Sequence, residues 1–269
     1  NGRSSGFSPM VRDQKIRRKF LRELVQFIQD YDVDGVDYNW EYPGYRFGQG
    51  YLPEKEVLAD YVGLAALVKD TRQIFKKKGM GHKAITLAYY PDGRQEKEIK
   101  SHGIDMYVDF MHMMTYDQQG SHHSSFDFAV RSLQQGCRML PCQKLTLGVP
   151  FYGRNKMNGW YSYEDIVQRY APLDADVNTV DDWERPSKSN PVSFNGVTWI
   201  ENKTKLTIDG NAGGVMIWEV GQDCRLKPVT HGSTTHQRTC PEDSSSLLLA
   251  ITRAHERQGI ARMATPLAA

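Results

Sequence analysis

Five short runs of β-branched and aromatic residues alternate along this chain with stretches of helical hydrophobic period, and that alternation limits the fold more than any other feature. The runs occupy 33–39, 84–90, 107–116, 144–150 and 214–218. Before the first run, Ile16, Phe20, Leu21, Leu24, Val25, Phe27 and Ile28 recur on one helical face that Asp13 can cap, and after it Val57, Leu58, Tyr61, Leu64, Ala65, Leu67, Val68 and Phe75 form a second helical pattern that Pro53 opens. Further helices are expected near 126–136 and 245–258. Strands separated by helices give a parallel sheet, because a parallel return needs a long crossover. Each run also ends in polar or aromatic residues: Asn39 and Glu41, Tyr89 and Tyr90, Tyr116 and Asp117, Tyr152 and Arg154, Trp218 and Glu219. Chemistry gathered at the carboxyl ends of parallel strands is the habit of (β/α)8 barrels. A doubly wound open sheet would place ligands similarly but usually carries a Gly-rich phosphate turn, which this sequence lacks. The expected fold is therefore α/β, a partial (β/α)8 TIM barrel with about five βα units in view. The stretch 151–205 is too long for a plain βα loop and holds Trp160, Tyr161, Tyr163, Trp183, Phe194 and Trp199, so a small packed insertion before the last strand is expected there.

With 269 residues, 39% hydrophobic and 25% charged, the composition is that of one globular domain over 1–269 and excludes a disordered, collagenous or coiled-coil chain. The 34 Lys+Arg against 32 Asp+Glu leave a formal net charge of +2, so no field argues for nucleic acid or an anionic membrane surface. The strongest apolar run, residues 247–251, falls far short of the roughly 18 residues of a membrane span. The first residue is Asn1 and not Met, so a fragment or processed form is expected, with any signal peptide out of view.

The segment 34–44 reads Asp-Gly-Val-Asp-Tyr-Asn-Trp-Glu-Tyr-Pro-Gly. Period two puts Asp37, Asn39 and Glu41 on one face and Val36, Tyr38 and Trp40 on the other. Neighbours in such a row lie about 6.6 Å apart at Cα, near enough for their side chains to hydrogen-bond in sequence. The apolar alternate residues and the abrupt Tyr-Pro-Gly stop turn this row inward and not toward bulk water.

This segment resembles the signature of glycoside hydrolase family 18, the chitinase family, written D-G-x-D-x-D-W-E-Y-P. Residues 114–117 (Met-Thr-Tyr-Asp) resemble the family's M-x-Y-D strand, 147–154 (Leu-Gly-Val-Pro-Phe-Tyr-Gly-Arg) its G-x-P-F-Y-G-R strand, and 213–218 (Gly-Gly-Val-Met-Ile-Trp) its final G-G-x-M-x-W strand. Aligned this way, the chain starts after the third strand of the barrel and should not close one alone. The resemblance implies a retaining hydrolase of β-1,4-linked N-acetylglucosamine polymers in which the substrate's own acetamido carbonyl attacks C1, so the protein supplies a single acid. By its place in the motif that acid is Glu41, protonating the glycosidic oxygen and later activating water, with Asp37 as its buried partner. Tyr116, beside Asp117, would aim a hydroxyl at the acetamido oxygen, and Trp218 would form the apolar floor. Met114, Tyr152, Arg154 and Tyr42 would line the cleft, with pairing to a structural carboxylate as the other use of Arg154. The loop aromatics that follow, Tyr45, Phe47 and Tyr51 with Trp160, Tyr161 and Tyr163, suit stacking on sugar rings or packing on one another.

Asn39 stands where the family has Asp. Its amide oxygen can accept the acetamide N–H, but it cannot ionise or share a proton with Asp37, so weaker activity is expected. Two other readings stay open: a carbohydrate-binding chitinase-like lectin without turnover, and an endo-β-N-acetylglucosaminidase acting on N-glycans, a class resembling this arrangement with Asn two residues before the catalytic Glu. The usual mark of the lectins is loss of that Glu, and Glu41 is kept. The resemblance calls for no metal or organic cofactor. The partner implied is chitin or another N-acetylglucosamine-containing glycan, the expected state a monomer, and the expected location secreted.

Cys137 with Cys142 and Cys224 with Cys240 form two local pairs that an oxidising compartment would bond. Cys224, His231, His236 and Cys240 also have a spacing that could ligate zinc. Asn202-Lys203-Thr204 is a glycosylation sequon, and His122 and His123 fall in an expected loop, where they would be solvated.

Overall fold

All five expected strands form. In the computed structural model, which describes residues 6–186, 189–230 and 234–264, the contacts divide the chain into two units: 1–113 with 135–145, and 114–134 with 146–269.

The first unit is built on three parallel strands, β1 (Gly35–Tyr38), β2 (Ala84–Tyr89) and β3 (Phe110–Met113). Asp37 stands opposite Thr86, and Ala88 opposite His112. The helix Gln14–Tyr31 begins where predicted because the Asp13 carboxylate accepts from the amides of Lys15 and Ile16, and its Leu21, Val25 and Ile28 are buried. The helix Glu54–Lys77 follows Pro53 and buries Val57, Tyr61, Leu64, Leu67, Val68 and Phe75 at helical spacing. Each such side chain contributes about 1.5–3 kcal/mol relative to exposure. The alternation on β1 has its expected apolar side: Tyr38 and Trp40 are buried, and the Tyr38 hydroxyl is 2.7 Å from Thr71 Oγ1 on the helix Glu54–Lys77. Among the described residues β1 pairs with β2 alone.

The second unit contains the parallel pair β4 (Leu145–Pro150) and β5 (Gly214–Trp218), in register from Thr146 opposite Gly214 to Pro150 opposite Trp218. Every residue of β4 is buried. The expected insertion is a small antiparallel sheet of strands Trp160–Ser162, Tyr152–Arg154, Val192–Ser193 and Thr179–Val180, in that order, with the helix Tyr163–Tyr170. Phe151, Ile166, Val167, Val192, Phe194, Ile200 and Leu247 form its core. The expected bound at 205 falls inside the helix Val197–Asp209, which leads into β5 and whose inward stripe is Ile200, Lys203, Thr204 and Thr207.

Both cysteine pairs are bonded, Cys137 to Cys142 and Cys224 to Cys240, with Cα atoms 4.5 and 5.4 Å apart. The zinc alternative fails on this point, because the sulfurs of Cys224 and Cys240 are taken up by each other; His231 lies outside the described residues. Among the described residues no three His, Cys, Asp or Glu side chains are grouped to hold a metal ion, and no helix is long and apolar enough to cross a membrane.

Candidate functional site

The acidic row lies at the carboxyl end of β1. Asp37 Oδ1 accepts from the Thr86 hydroxyl at 2.6 Å, and the Asn39 amide nitrogen donates to Glu41 Oε1 at 3.2 Å. His112 on β3 places Nε2 3.8 Å from Asp37 Oδ1, too long for a hydrogen bond but close for a charge contact. Burial holds the His112 imidazole below its ordinary range, and the Asp37 charge opposes that shift. His112 and Thr86 were not anticipated. The signal was present: counting back in twos from Tyr116 and Met114 reaches His112, on the same face of the run.

One expectation is corrected here. Asp37 is not a buried partner; its side chain is 48% exposed, because β1 has no ladder partner on its other flank among the described residues. The turn after Glu41 is held from below. Gly44 takes φ +64°, and a Cβ there would stand 2.5 Å from Val57 Cα, so only glycine lets the backbone settle on the helix Glu54–Lys77. The buried carboxylate of Asp60 accepts from Gly44 N at 2.8 Å, from Arg12 Nε at 2.7 Å and from Ser8 Oγ at 2.6 Å. Tyr42 packs against Tyr45 and Tyr90, with ring centroids 5.6 and 6.1 Å away, while Trp40 stacks on Phe7 at 5.2 Å.

In the second unit, Met114 and Tyr116 are buried, and the Tyr116 hydroxyl lies 3.8 Å from the sulfur of Met216 on β5. Asp117, at φ +59°, is the hub of a charged cluster. Its Oδ1 accepts from the Tyr152 hydroxyl at 2.9 Å and from Arg154 Nη1 at 2.9 Å, with His123 Nδ1 at 3.6 Å. Burial pushes the Asp117 carboxyl up, but His123, Arg154 and Tyr152 together more than offset it and hold it below the ordinary carboxylate range. Arg154 thus takes its alternative as a carboxylate partner and also lines a cavity of about 430 Å³ with Asp117, His123, Asn155 and Ser193. Tyr152 is stacked on Trp160 with centroids 3.7 Å apart, and the indole N–H of Trp160 donates to Gln222. The Trp218 side chain is 43% exposed at the end of β5.

The two adjacent histidines are not solvated. His123 is 6% exposed, and neither of its ring nitrogens has a hydrogen-bond partner. His122 Nδ1 accepts from Ser124 N at 3.0 Å, which leaves Nε2–H to donate to the carbonyls of Phe194 at 2.9 Å and Asn178 at 3.2 Å. Burial and the neighbouring His123 push the His122 imidazole down to about 4. The loop is inward-facing because it packs against the insertion, which sequence period does not reveal.

A family model described as glycosyl hydrolases family 18 matches residues 1–223. The chain belongs to this family. Among curated relatives, "Probable chitinase 2" of Drosophila melanogaster is 25% identical over 315 aligned positions that take in 91% of this chain and 60% of that protein, so the chain spans about three-fifths of its relative's length. Among solved structures, Ostrinia furnacalis Group II chitinase catalytic domain 2 matches with a TM-score of 0.70 at 22% identity, covering 95% of this chain and 75% of that one. A mutant of the same domain, solved in complex with penta-N-acetylchitooctaose (NAG)5, matches with a TM-score of 0.69 at 21% identity, over 95% and 75% of the two chains. These likenesses show the fold of this family 18 chain to be that of a (β/α)8 barrel domain, in part.

Proposed function

We propose that this chain hydrolyses β-1,4-N-acetylglucosamine linkages in chitin or chito-oligosaccharides with retention of configuration, Glu41 acting as general acid and then as general base. The observation that carries this reading is the row at the end of β1: Glu41 in hydrogen-bond contact with Asn39, and Asp37 fixed by Thr86 two positions before. In this row Glu41 is the group that carries the proton, and the Asn39 amide orients its carboxylate by donating to it. The acetamido carbonyl of the substrate attacks C1, Glu41 gives its proton to the departing glycosidic oxygen, and Glu41 then takes a proton from the water that opens the oxazolinium ring. By motif position Tyr116 is assigned to donate to the acetamido oxygen and Trp218 to cover the apolar face of the sugar. Asp117 holds Tyr152 and Arg154 in place, and Met114 and Tyr42 are assigned to the walls. The family's chitinases and the oligosaccharide bound by the Ostrinia furnacalis domain support the substrate class, and the two disulfides support secretion. We assign a monomer, with no metal or organic cofactor in the reaction.

The test is hydrolysis of fluorogenic chitobioside and chitotrioside by the 269-residue chain and by a longer form that carries three more βα units at its amino end, each beside Glu41→Gln. Turnover in either form that Glu41→Gln abolishes supports the reading. Oligosaccharide binding without turnover in both would overturn it in favour of the lectin, and release of N-glycans with chitobioside untouched in favour of the endoglycosidase.

A further inference from the structure

Lys203 is fully buried, yet none of its bonds is to a carboxylate. It sits on the inward stripe of the helix Val197–Asp209, where the pattern of Ile200, Thr204 and Thr207 leaves room for an apolar residue. Its ammonium has three donors and finds three neutral acceptors: Asn195 Oδ1 at 2.6 Å, Ser124 Oγ at 2.8 Å and the Ser124 carbonyl at 2.9 Å. A buried cation is costly, and an apolar residue of the same shape at such a site is often neutral or stabilising, so stability alone does not account for Lys203. What it grips is informative. With its oxygen accepting from Lys203, the Ser124 hydroxyl donates onward to the Thr115 carbonyl at 2.7 Å, and Thr115 is the residue before Tyr116 and Asp117. The Asn195 amide nitrogen donates to the same Ser124 carbonyl at 2.9 Å, so Ser124 is held from two elements. The loop between closes on itself through Gln118 N to the His123 carbonyl at 2.9 Å and Gln118 Nε2 to the His122 carbonyl at 2.7 Å.

We propose that Lys203 is a positioning residue that, through Ser124 and Thr115, fixes the strand end bearing Tyr116 and Asp117. Its role in turnover rests on the hydrolase reading above; its role in ordering the loop does not. The other charged groups around it are His122 and His123, whose protonation the lysine charge disfavours, and Asp117 and Arg154, which face His123. Burial pushes the Lys203 ammonium down to about 7, yet its nitrogen stays where three loop oxygens converge, and the two histidines beside it are held toward their neutral forms.

The test is amide hydrogen exchange of the 269-residue chain as wild type, Lys203→Met and Ser124→Ala. The expected result is that exchange at Gln118, His123 and Ser124 quickens about tenfold or more in both variants, while amides of the helix Leu247–Ala264 stay within about twofold. The double variant should be no faster than Lys203→Met, because both substitutions break one chain of contacts. Unchanged exchange in the loop, or equal quickening throughout the second unit, would overturn the proposal; the latter is what a purely structural lysine gives. If Lys203→Met does not fold, Ser124→Ala alone decides by the same readout. Where the wild type hydrolyses chitobioside, Lys203→Met should lower kcat about tenfold with KM within about twofold, the signature of a lost transition-state contact. A wild type without turnover defeats the hydrolase reading and leaves the exchange result standing.

Discussion

Replacing Asn39 by aspartate puts a second carboxylate where an amide now donates to Glu41 across 3.2 Å. The change deletes a hydrogen bond to a charged acceptor, worth about 1.5–3 kcal/mol. If both groups ionise, it also adds Coulomb repulsion, which at 3.2 Å is about 1.3 kcal/mol with the dielectric constant of water and about 5 kcal/mol at an effective constant of about 20. Asn39 and Glu41 are both partly buried, so the cost falls between these limits. The row relieves it by keeping one proton, and each 1.4 kcal/mol or so retains that proton through one further pH unit. A general acid at position 41 therefore works to higher pH in the variant. The alkaline limb of kcat should move up by at least about one unit, and turnover near neutrality should rise by up to about tenfold. Initial rates on a fluorogenic chitobioside, taken for both proteins from about pH 4 to about pH 9 with thermal unfolding in parallel, measure this directly. If both proteins are folded and active and the limb stays within about 0.3 unit, the coupling between residues 39 and 41 is refuted, and with it the explanation of how Asn39 affects the reaction.

Two further outcomes follow from the second unit. Asp117→Asn leaves Arg154 without its counter-charge and weakens the contacts to Tyr152 and His123, so unfolding free energy in urea should fall by about 2–3 kcal/mol; a loss below about 0.5 would show the cluster to be solvent-screened. Because the Asp117 carboxyl is held below its ordinary range, its contribution is fully present above that range and is lost as pH falls from there through the lowered folded-state value. The His122 imidazole is pushed down to about 4 from 6.5, so its stabilising neutral form is fully populated above about 6.5 and the native state loses up to about 3 kcal/mol as pH falls toward 4. An NMR titration of the His122 ring checks this; a midpoint near 6.5 would mean that the loop opens to water.

Much of the fold was legible because the periods were clean. The helix starting after Asp13, the helix after Pro53 and all five parallel strands came from hydrophobic spacing and caps, which are local properties. The row Asp37, Asn39, Glu41 was legible for the same reason, since a strand fixes side by parity. His112 was legible in principle, on the same parity as Met114 and Tyr116. The helix Val197–Asp209 was missed because Lys203, Thr204 and Thr207 occupy its inward stripe and erase the apolar signal there. His122 and His123 look like solvated loop residues in sequence, and only the insertion packed over them buries His123 and ties the His122 ring to the Phe194 carbonyl.

By itself, then, the sequence determined element types, strand parity and the family, because each is written in residue spacing within a few turns or strands. Tertiary structure alone decided that Arg154 and Tyr152 converge on Asp117, that Lys203 reaches Ser124 across 79 positions, and that Asp37 stays half exposed. Those facts depend on which distant elements meet and which flank of a strand is covered, and side-chain spacing along one segment carries no information about either.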